Sequence, residues 1–214
     1  MSEKIIIRNE TESDYRKVED MTRRAFYNLY VPGCVEHYLV HIMRTHQDFL
    51  PELDFVIELD GEIIGNIMYT KNRLVGSSGE EKDILTFGPV CIAPQHQRSG
   101  YGKMLMEYSF EKAVALGYDV IVIYGNPGNY VSRGFKSAKK YQVSLKDGSF
   151  PAAMLVKELK PGALQGQKWV YVQSSVFEID EQEAQRYDDT LEKLEKKYQP
   201  SQEEFYIHSH ALLQ

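Results

Sequence analysis

The glycine-bearing turn at residues 97–103 has the spacing best suited to holding a ligand. It reads Gln-Arg-Ser-Gly-Tyr-Gly-Lys, follows an apolar run at residues 90–92, and opens a predicted helix. The first amides of a helix lack partners within the helix and carry a partial positive charge. Gly100 and Gly102 also let the backbone approach a ligand without interference from a Cβ atom. The turn therefore predicts a seat for an anion such as a diphosphate.

Two better-known phosphate motifs do not fit this turn. The pattern GxxxxGK[ST] fails because no Gly-Lys-Ser/Thr end is present. The pattern GxGxxG fails because Leu105, not glycine, stands three residues after Gly102. Taken by itself, Gly-x-Gly at a helix start is therefore equally compatible with a tight strand-to-helix turn that binds nothing.

The elements around the turn alternate between short β-branched runs and amphipathic segments. Hydrophobic spacing predicts helices from Thr11 to about Leu29, from 35 to 46, and from the turn to Leu116-Gly117. Strands are predicted at 4–8, 55–57, 63–69, 84–92, 120–123, 141–145 and 152–159. Gly88-Pro89 predicts a break or bulge inside the run at 84–92. The order indicates a mixed α/β fold with one strand–helix–strand crossover.

Two blocks of sequence together resemble the GNAT superfamily of N-acetyltransferases. The first is Gln-x-x-Gly-x-Gly at 97–102, preceded by Gly-Pro-Val at 88–90. The second is residues 125–135, in which Tyr130 stands four residues before Gly-Phe. The resemblance extends over residues 4–159 and is greatest to bacterial members of unassigned substrate. It implies an α/β fold with a mixed, mostly antiparallel central sheet, a splayed parallel strand pair and helices on both faces.

The resemblance also implies acetyl-CoA as co-substrate and names the residues that hold it. The pantetheine arm would pair with main-chain groups where the strands at 84–92 and 120–124 part. The residues expected there are Val90, Cys91 and Ile92. The pyrophosphate would lie on the turn, at Gln97, Arg98, Ser99, Gly100, Tyr101, Gly102 and Lys103.

The implied reaction is transfer of the acetyl group to a primary amine by direct attack. The leaving thiolate needs a proton, and Tyr130 matches the family's general acid. By family analogy, Tyr30, Tyr38 and His41 are expected to line the acceptor pocket. The base stays open, because the run at 84–90 has no interior carboxylate. A histidine of the second helix (37, 41 or 46) or a water chain are the alternatives.

Two other functions compete with catalysis by acetyl transfer. The same fold is compatible with a sensor that binds acyl-CoA without turning it over. A thiol enzyme using Cys34 or Cys91 is the other alternative, but no His–Cys arrangement is visible in the sequence. Neither cysteine forms a CxxC pair, so no metal site is expected.

Composition and hydropathy limit which partners and which cellular compartment we expect. The 214 residues carry a net charge of −6, which disfavours nucleic acid as a partner. No leader and no run of 18 apolar residues is visible, so a cytoplasmic protein without membrane contact is expected. We expect an N-acetyltransferase domain at 1–160, with a C-terminal extension at 161–214 packed on it. The acceptor is expected to be a small-molecule or protein amine, and the protein a monomer or homodimer.

Overall fold

A computed structural model describes residues 4–164 and 166–214. The strands are β1 (Ile5–Asn9), β2 (Phe55–Leu59), β3 (Glu62–Ile67), β4 (Tyr69–Gly76), β5 (Glu81–Phe87), β6 (Cys91–Ile92), β7 (Val120–Tyr124), β8 (Lys136–Ser137), β9 (Val143–Ser144), β10 (Met154–Glu158) and β11 (Trp169–Val172). The helices are α1 (Tyr15–Phe26), α2 (Glu36–Met43), α3 (Tyr101–Ala115), α4 (Pro127–Tyr130), α5 (Glu181–Asp188) and α6 (Pro200–His210).

Within the described residues the strands form a four-stranded and a seven-stranded sheet. Their orders are β1-β2-β3-β6 and β8-β10-β7-β5-β4-β11-β9. Most neighbours are antiparallel, and the parallel pairs are β5 with β7 and β11 with β9. The β5–β7 pairing is limited to Leu85 opposite Ile121. The predicted fold, a mixed and mostly antiparallel sheet with a splayed parallel pair, is confirmed.

The chain passes from one sheet to the other at two places. Met68 separates β3 from β4, and residues 88–90 separate β5 from β6. The Gly88 amide donates to the Met68 carbonyl at 2.9 Å, so the two crossings lie side by side. The sequence predicted one interrupted strand over 84–92, whereas the structure divides it between two sheets. Pro89 has no amide N–H, which makes continued pairing at this point impossible.

The core forms on both faces of the curled sheets. Apolar residues of α3, such as Leu105 and Phe110, pack against β2, β3, β5 and β7. Val18 and Met21 of α1 pack with α2 and the other face of β3. At the start of α1, the Thr11 amide donates to the Asp14 carboxylate at 2.9 Å, as the predicted acidic capping box requires.

Several element boundaries differ from the sequence predictions. The first helix ends at Phe26 instead of Leu29, and α2 is shorter than 35–46. The predicted strand at 141–145 is reduced to β9. Helix α6 was not predicted, because its apolar residues do not collect on one face. No helix among the described residues combines the length and apolar character that crossing a membrane requires.

The segment after residue 160 packs on the seven-stranded sheet and on the region of α1 and α2. Strand β11 pairs with β4, and α5 packs on α2. The Gln202 amide group of α6 donates to the Asn28 carbonyl at 3.0 Å, after the end of α1. Beyond α6, the Ala152 amide donates to the Ala211 carbonyl at 2.8 Å, next to β10. The last helix therefore bridges the end of α1 and the loop before β10.

A buried ion pair holds α5 against α1 and α2. The Asp188 carboxylate accepts from Arg23 Nε at 2.7 Å and lies 3.2 Å from His37 Nε2. The Arg23 side chain is 2% exposed and that of His37 is fully buried. Burial lowers the pKa of His37 to about 4, so the imidazole is neutral at pH 7. Arg23 therefore supplies the positive charge of this cluster.

We predict that Asp188→Ala lowers the free energy of unfolding by about 3–5 kcal/mol, because the buried Arg23 guanidinium loses its counter-charge. That corresponds to a drop of about 10 °C in the midpoint of thermal unfolding. Glu183→Ala is the matched control, since it breaks the exposed Glu183–Arg186 pair of the same helix and should cost under about 1 kcal/mol. Equal midpoints for the two variants would contradict this role of Asp188.

Candidate active site

A cavity of about 470 Å³ opens where β5 and β7 part. Three parts of the chain bound it: the crossing at 86–92, the end of α1 with the start of α2, and the end of β7 with α4. Gln97 and Gly102 of the glycine turn also border it. The cavity therefore connects the predicted anion seat with the predicted acceptor side.

Strand β6 lines this cavity and, among the described residues, lies at the edge of its sheet. Its partner is β3, with Cys91 opposite Asn66 and Ile92 opposite Gly65. A Cβ on Gly65 would lie 2.9 Å from the Cys91 carbonyl oxygen, which is too close for any residue but glycine. Val90, Cys91 and Ile92 all line the cavity, as the sequence predicts for the pantetheine-binding strand.

The glycine turn has the backbone geometry of an anion seat. Gly100 has φ +91°, and no atom lies within 4 Å of the position that its Cβ would take. Helix α3 begins directly after it, so the amides of Gly102 and Lys103 lie in the first helical turn. A helix cannot pair these amides internally. Arg98 also has a positive φ, +61°, which bends the chain sharply into the helix.

The side chains of the turn make different contacts. Gln97 Nε2 donates to the Ile92 carbonyl at 3.0 Å and fixes the turn to β6. Ser99 Oγ donates to the Gln97 carbonyl at 3.4 Å. The Tyr101 ring stands edge-on to the His96 ring, with centroids 6.2 Å apart. Arg98 and Lys103 are exposed, and Lys103 lies 3.7 Å from Glu107.

Tyr130 lies on the opposite wall from the glycine turn, at the end of α4. Its ring packs against Phe87 and Phe135, with centroids 5.8 and 5.7 Å away. A Cβ on Gly125 would collide with this ring, including Cδ2 at 3.0 Å, so glycine at this position makes room for the tyrosine. Burial raises the pKa of the Tyr130 hydroxyl, which keeps its proton at neutral pH.

Of the three residues predicted for the acceptor side, Tyr30 alone lines the cavity. Its ring stacks on Phe205 of α6 at 4.7 Å and contacts Phe26. Tyr38 and His41 lie elsewhere, packed against Tyr187 of α5 with ring centroids 5.5 and 4.6 Å away. Helix α5 thus packs on the face of α2 that sequence analysis assigned to the acceptor, and we leave Tyr38 and His41 out of the proposed site.

The histidines considered as bases do not border the cavity. His37 is buried with Asp188, His41 lies 3.1 Å from Glu19, and His46 lies 3.6 Å from Asp48. Sequence reasoning missed Glu36, the first residue of α2, which lines the cavity. An acidic residue at a helix start is commonplace, so no sequence signal distinguished it.

The thiols are not arranged for nucleophilic chemistry, although one correction is needed. The sequence showed no His–Cys arrangement, whereas the structure brings Cys34 Sγ within 3.3 Å of His37 Nδ1. Burial raises the pKa of Cys34 to about 12, which opposes thiolate formation. Burial likewise raises the pKa of Cys91 to about 11, and its thiol contacts Thr22.

Comparisons with known proteins identify the family and support the fold. The acetyltransferase (GNAT) family matches residues 23–136, more than half of the chain. The uncharacterized N-acetyltransferase YhbS of Escherichia coli K12 is 24% identical over 76% of this chain and 92% of its own length. A crystal structure of Escherichia coli YhbS in complex with CoA has a TM-score of 0.71 at 21% identity, covering 84% of this chain and 94% of that one.

A second solved structure shares the fold. A GNAT family acetyltransferase from Brucella melitensis in complex with acetyl-CoA has a TM-score of 0.62 at 21% identity. The match covers 81% of this chain and 98% of that chain. Both neighbours therefore support the fold over nearly their full lengths.

We predict that Gly65→Ala lowers the free energy of unfolding by about 1–3 kcal/mol, because the new methyl would press on the β6 main chain. Gly102→Ala is the control, since its Cβ would meet Ile92 at an ordinary 3.5 Å and alanine favours the helix. Thermal unfolding measures both. A Gly65→Ala variant as stable as wild type would contradict the close approach of β3 and β6.

Proposed function

The chain belongs to the acetyltransferase (GNAT) family, and from this premise we propose that it transfers the acetyl group of acetyl-CoA to a primary amine by direct attack on the thioester. One observation carries the proposal. The edge strand β6 borders a single cavity that is also lined by residues of the glycine turn and by Tyr130. An extended cofactor arm and an acceptor amine can therefore meet there.

The described residues fit coenzyme A. Open space at Gly100 and the first amides of α3 suit its pyrophosphate, and the edge of β6 suits the amides of its pantetheine arm. The presence of CoA and acetyl-CoA in the two structural neighbours supports this assignment. The proposed binding residues are Val90, Cys91, Ile92, Gln97, Arg98, Ser99, Gly100, Tyr101, Gly102 and Lys103.

Acetyl-CoA supplies the activated acetyl group as a thioester. An amide N–H of the β6 edge, near Cys91 or Ile92, would donate to the carbonyl oxygen as negative charge develops on it. Tyr130 would donate its hydroxyl proton to the leaving sulfur. The apolar rings around Tyr130 exclude water and keep the hydroxyl protonated until that moment.

In the balanced reaction the acceptor nitrogen loses two protons. The incoming ammonium must give up one proton before attack, because its nitrogen otherwise has no lone pair. As the C–N bond forms and the C–S bond breaks, Tyr130 gives its proton to sulfur. The acylated nitrogen then gives up a second proton, which restores the Tyr130 hydroxyl. The products are an amide, a free thiol and one proton for a base to carry away.

We predict that acetyl-CoA at about 100 times its dissociation constant raises the unfolding midpoint by about 5–10 °C, since binding adds about 2.7 kcal/mol. Gly100→Ala should weaken binding at least about tenfold, because its Cβ would occupy the open space at the turn.

Gly79→Ala is the matched control for that variant. Gly79 has φ +90° and equally open surroundings, so its replacement causes the same backbone strain in a hairpin loop away from the cavity. Isothermal titration calorimetry should give the Gly79→Ala variant the wild-type affinity. Equal affinities for Gly100→Ala and wild type would contradict the assignment of the turn.

We predict that Tyr130→Phe lowers kcat by about 10²–10⁴-fold, the usual contribution of a general acid, while acetyl-CoA affinity stays within about twofold. Tyr124→Phe removes the other phenol at this end of the cavity and should leave kcat nearly unchanged. Release of free thiol measures turnover on a panel of amines. Unchanged turnover by Tyr130→Phe would reject the role of Tyr130, and wild-type binding without any turnover would favour a sensor.

A further inference from the structure

Glu36 is the one acidic side chain among the described residues that line the cavity. Among the described residues that line the cavity, no other is an aspartate, glutamate, lysine, arginine or histidine. The remaining wall is formed by main chain, aliphatic side chains, a few neutral polar groups and the rings of Phe26, Tyr30, Phe87 and Phe177. A lone carboxylate in such surroundings is costly unless a cation comes to it.

The carboxylate of Glu36 has no cationic partner within the described chain. None of the ion pairs among these residues includes it. Its Oε2 accepts from the Val35 amide at 3.1 Å, and the amide of Glu36 itself also donates to the carboxylate. Burial raises the pKa of Glu36, and its charge in turn adds to the raised pKa of Tyr30. The carboxylate is therefore desolvated, lacks a cationic partner among the described residues, and belongs to a residue that lines the cavity.

We propose that Glu36 binds the ammonium group of the acceptor and takes its first proton, and that the acceptor is a primary amine carried on an apolar or aromatic carbon body. This inference rests on the proposed acetyl transfer and fills the position of base that it left open. The aromatic rings near Glu36 favour such an acceptor over a polyamine, because further ammonium groups would find no second carboxylate on the wall.

The proposed step is a proton transfer within an ion pair. The ammonium R–NH₃⁺ enters beside the carboxylate, and one N–H proton moves to a Glu36 carboxylate oxygen. The products of this step are the neutral carboxylic acid and the free amine R–NH₂, whose lone pair then attacks the thioester. Desolvation favours the neutral pair over the charged pair, so burial assists the transfer. The Glu36 proton leaves to water when the site opens.

The other titratable groups that face Glu36 are neutral at pH 7. Tyr30 and Cys34 lie on the connection between α1 and α2, and burial raises the pKa of both. Across the cavity are Tyr124 after β7 and Tyr130 of α4, and burial raises the pKa of each. The Cys91 thiol of β6 is likewise neutral. The pH dependence of the reaction therefore reports Glu36 and the acceptor amine.

Glu36→Gln tests the proposal because it keeps the shape of the side chain and removes the charge. With 2-phenylethylamine as acceptor, we expect kcat/KM at pH 7 to fall at least about 100-fold while acetyl-CoA affinity stays within about twofold. The deficit should shrink toward pH 10, because the amine then arrives already deprotonated. A deficit that is the same at every pH, or no deficit, would overturn the proposal.

Glu181→Gln is the matched control. Glu181 is the first residue of α5, as Glu36 is of α2, and it is exposed. Its replacement removes the same favourable charge from a helix start, so any loss common to both variants reflects helix stability. We expect Glu181→Gln to keep wild-type kcat/KM across the pH range.

A binding measurement tests the ammonium site without turnover. In protein saturated with CoA, 2-phenylethylamine should raise the unfolding midpoint more than 2-phenylethanol, and Glu36→Gln should abolish that difference. Equal shifts in wild type would overturn the proposal, and a stronger response to spermidine would overturn the aromatic acceptor class. Failure of wild type to bind acetyl-CoA at all would reject the proposed function itself, so the two failures are distinguishable.

Discussion

The site forms because the main chain changes its pairing partner from one sheet to the other at residues 88–92. Strand β5 belongs with β7, but the chain crosses at Gly88 and Pro89 so that β6 pairs with β3. Among the described residues, no strand pairs with the other edge of β6. Buried backbone groups need partners. Gln97 Nε2 supplies one to the Ile92 carbonyl, and the rest of this edge is left to water or to a ligand with its own amides. The cavity follows from this crossing, and the glycine turn and Tyr130 stand at its two sides.

The segment after residue 160 determines what the other end of the cavity contains. Helix α6 places Phe205 against Tyr30, and α5 places Tyr187 against Tyr38 and His41. Of the three residues predicted for the acceptor side, Tyr30 alone thus lines the cavity, while Tyr38 and His41 pack against Tyr187. Phe177, just before α5, also lines the wall. The extension therefore shapes the acceptor side as well as stabilising the fold.

The family and the general fold could be predicted from sequence because the relevant signals are local. The glycine turn and the Gly88-Pro89 break act through backbone chemistry that a short window of sequence reveals. The division of 84–92 between two sheets was not visible, since both halves are equally apolar. Residue spacing also could not show that Tyr38 lies away from the cavity. Its position depends on the packing of α5 against α2, and α5 lies more than 140 residues later in the chain.

The buried arginines near α1 and α2 already have carboxylate partners, which explains why Glu36 is available to a ligand. The buried Arg44 is matched by Glu10 at 2.8 Å and by Glu19, and the buried Arg23 is matched by Asp188. Both of these cations thus already have a carboxylate, and neither lines the cavity. Among the described residues no cation pairs with Glu36, so its counter-charge is left to a ligand. Because the surrounding wall is apolar, that counter-charge is attracted more strongly there than it would be at the solvated surface.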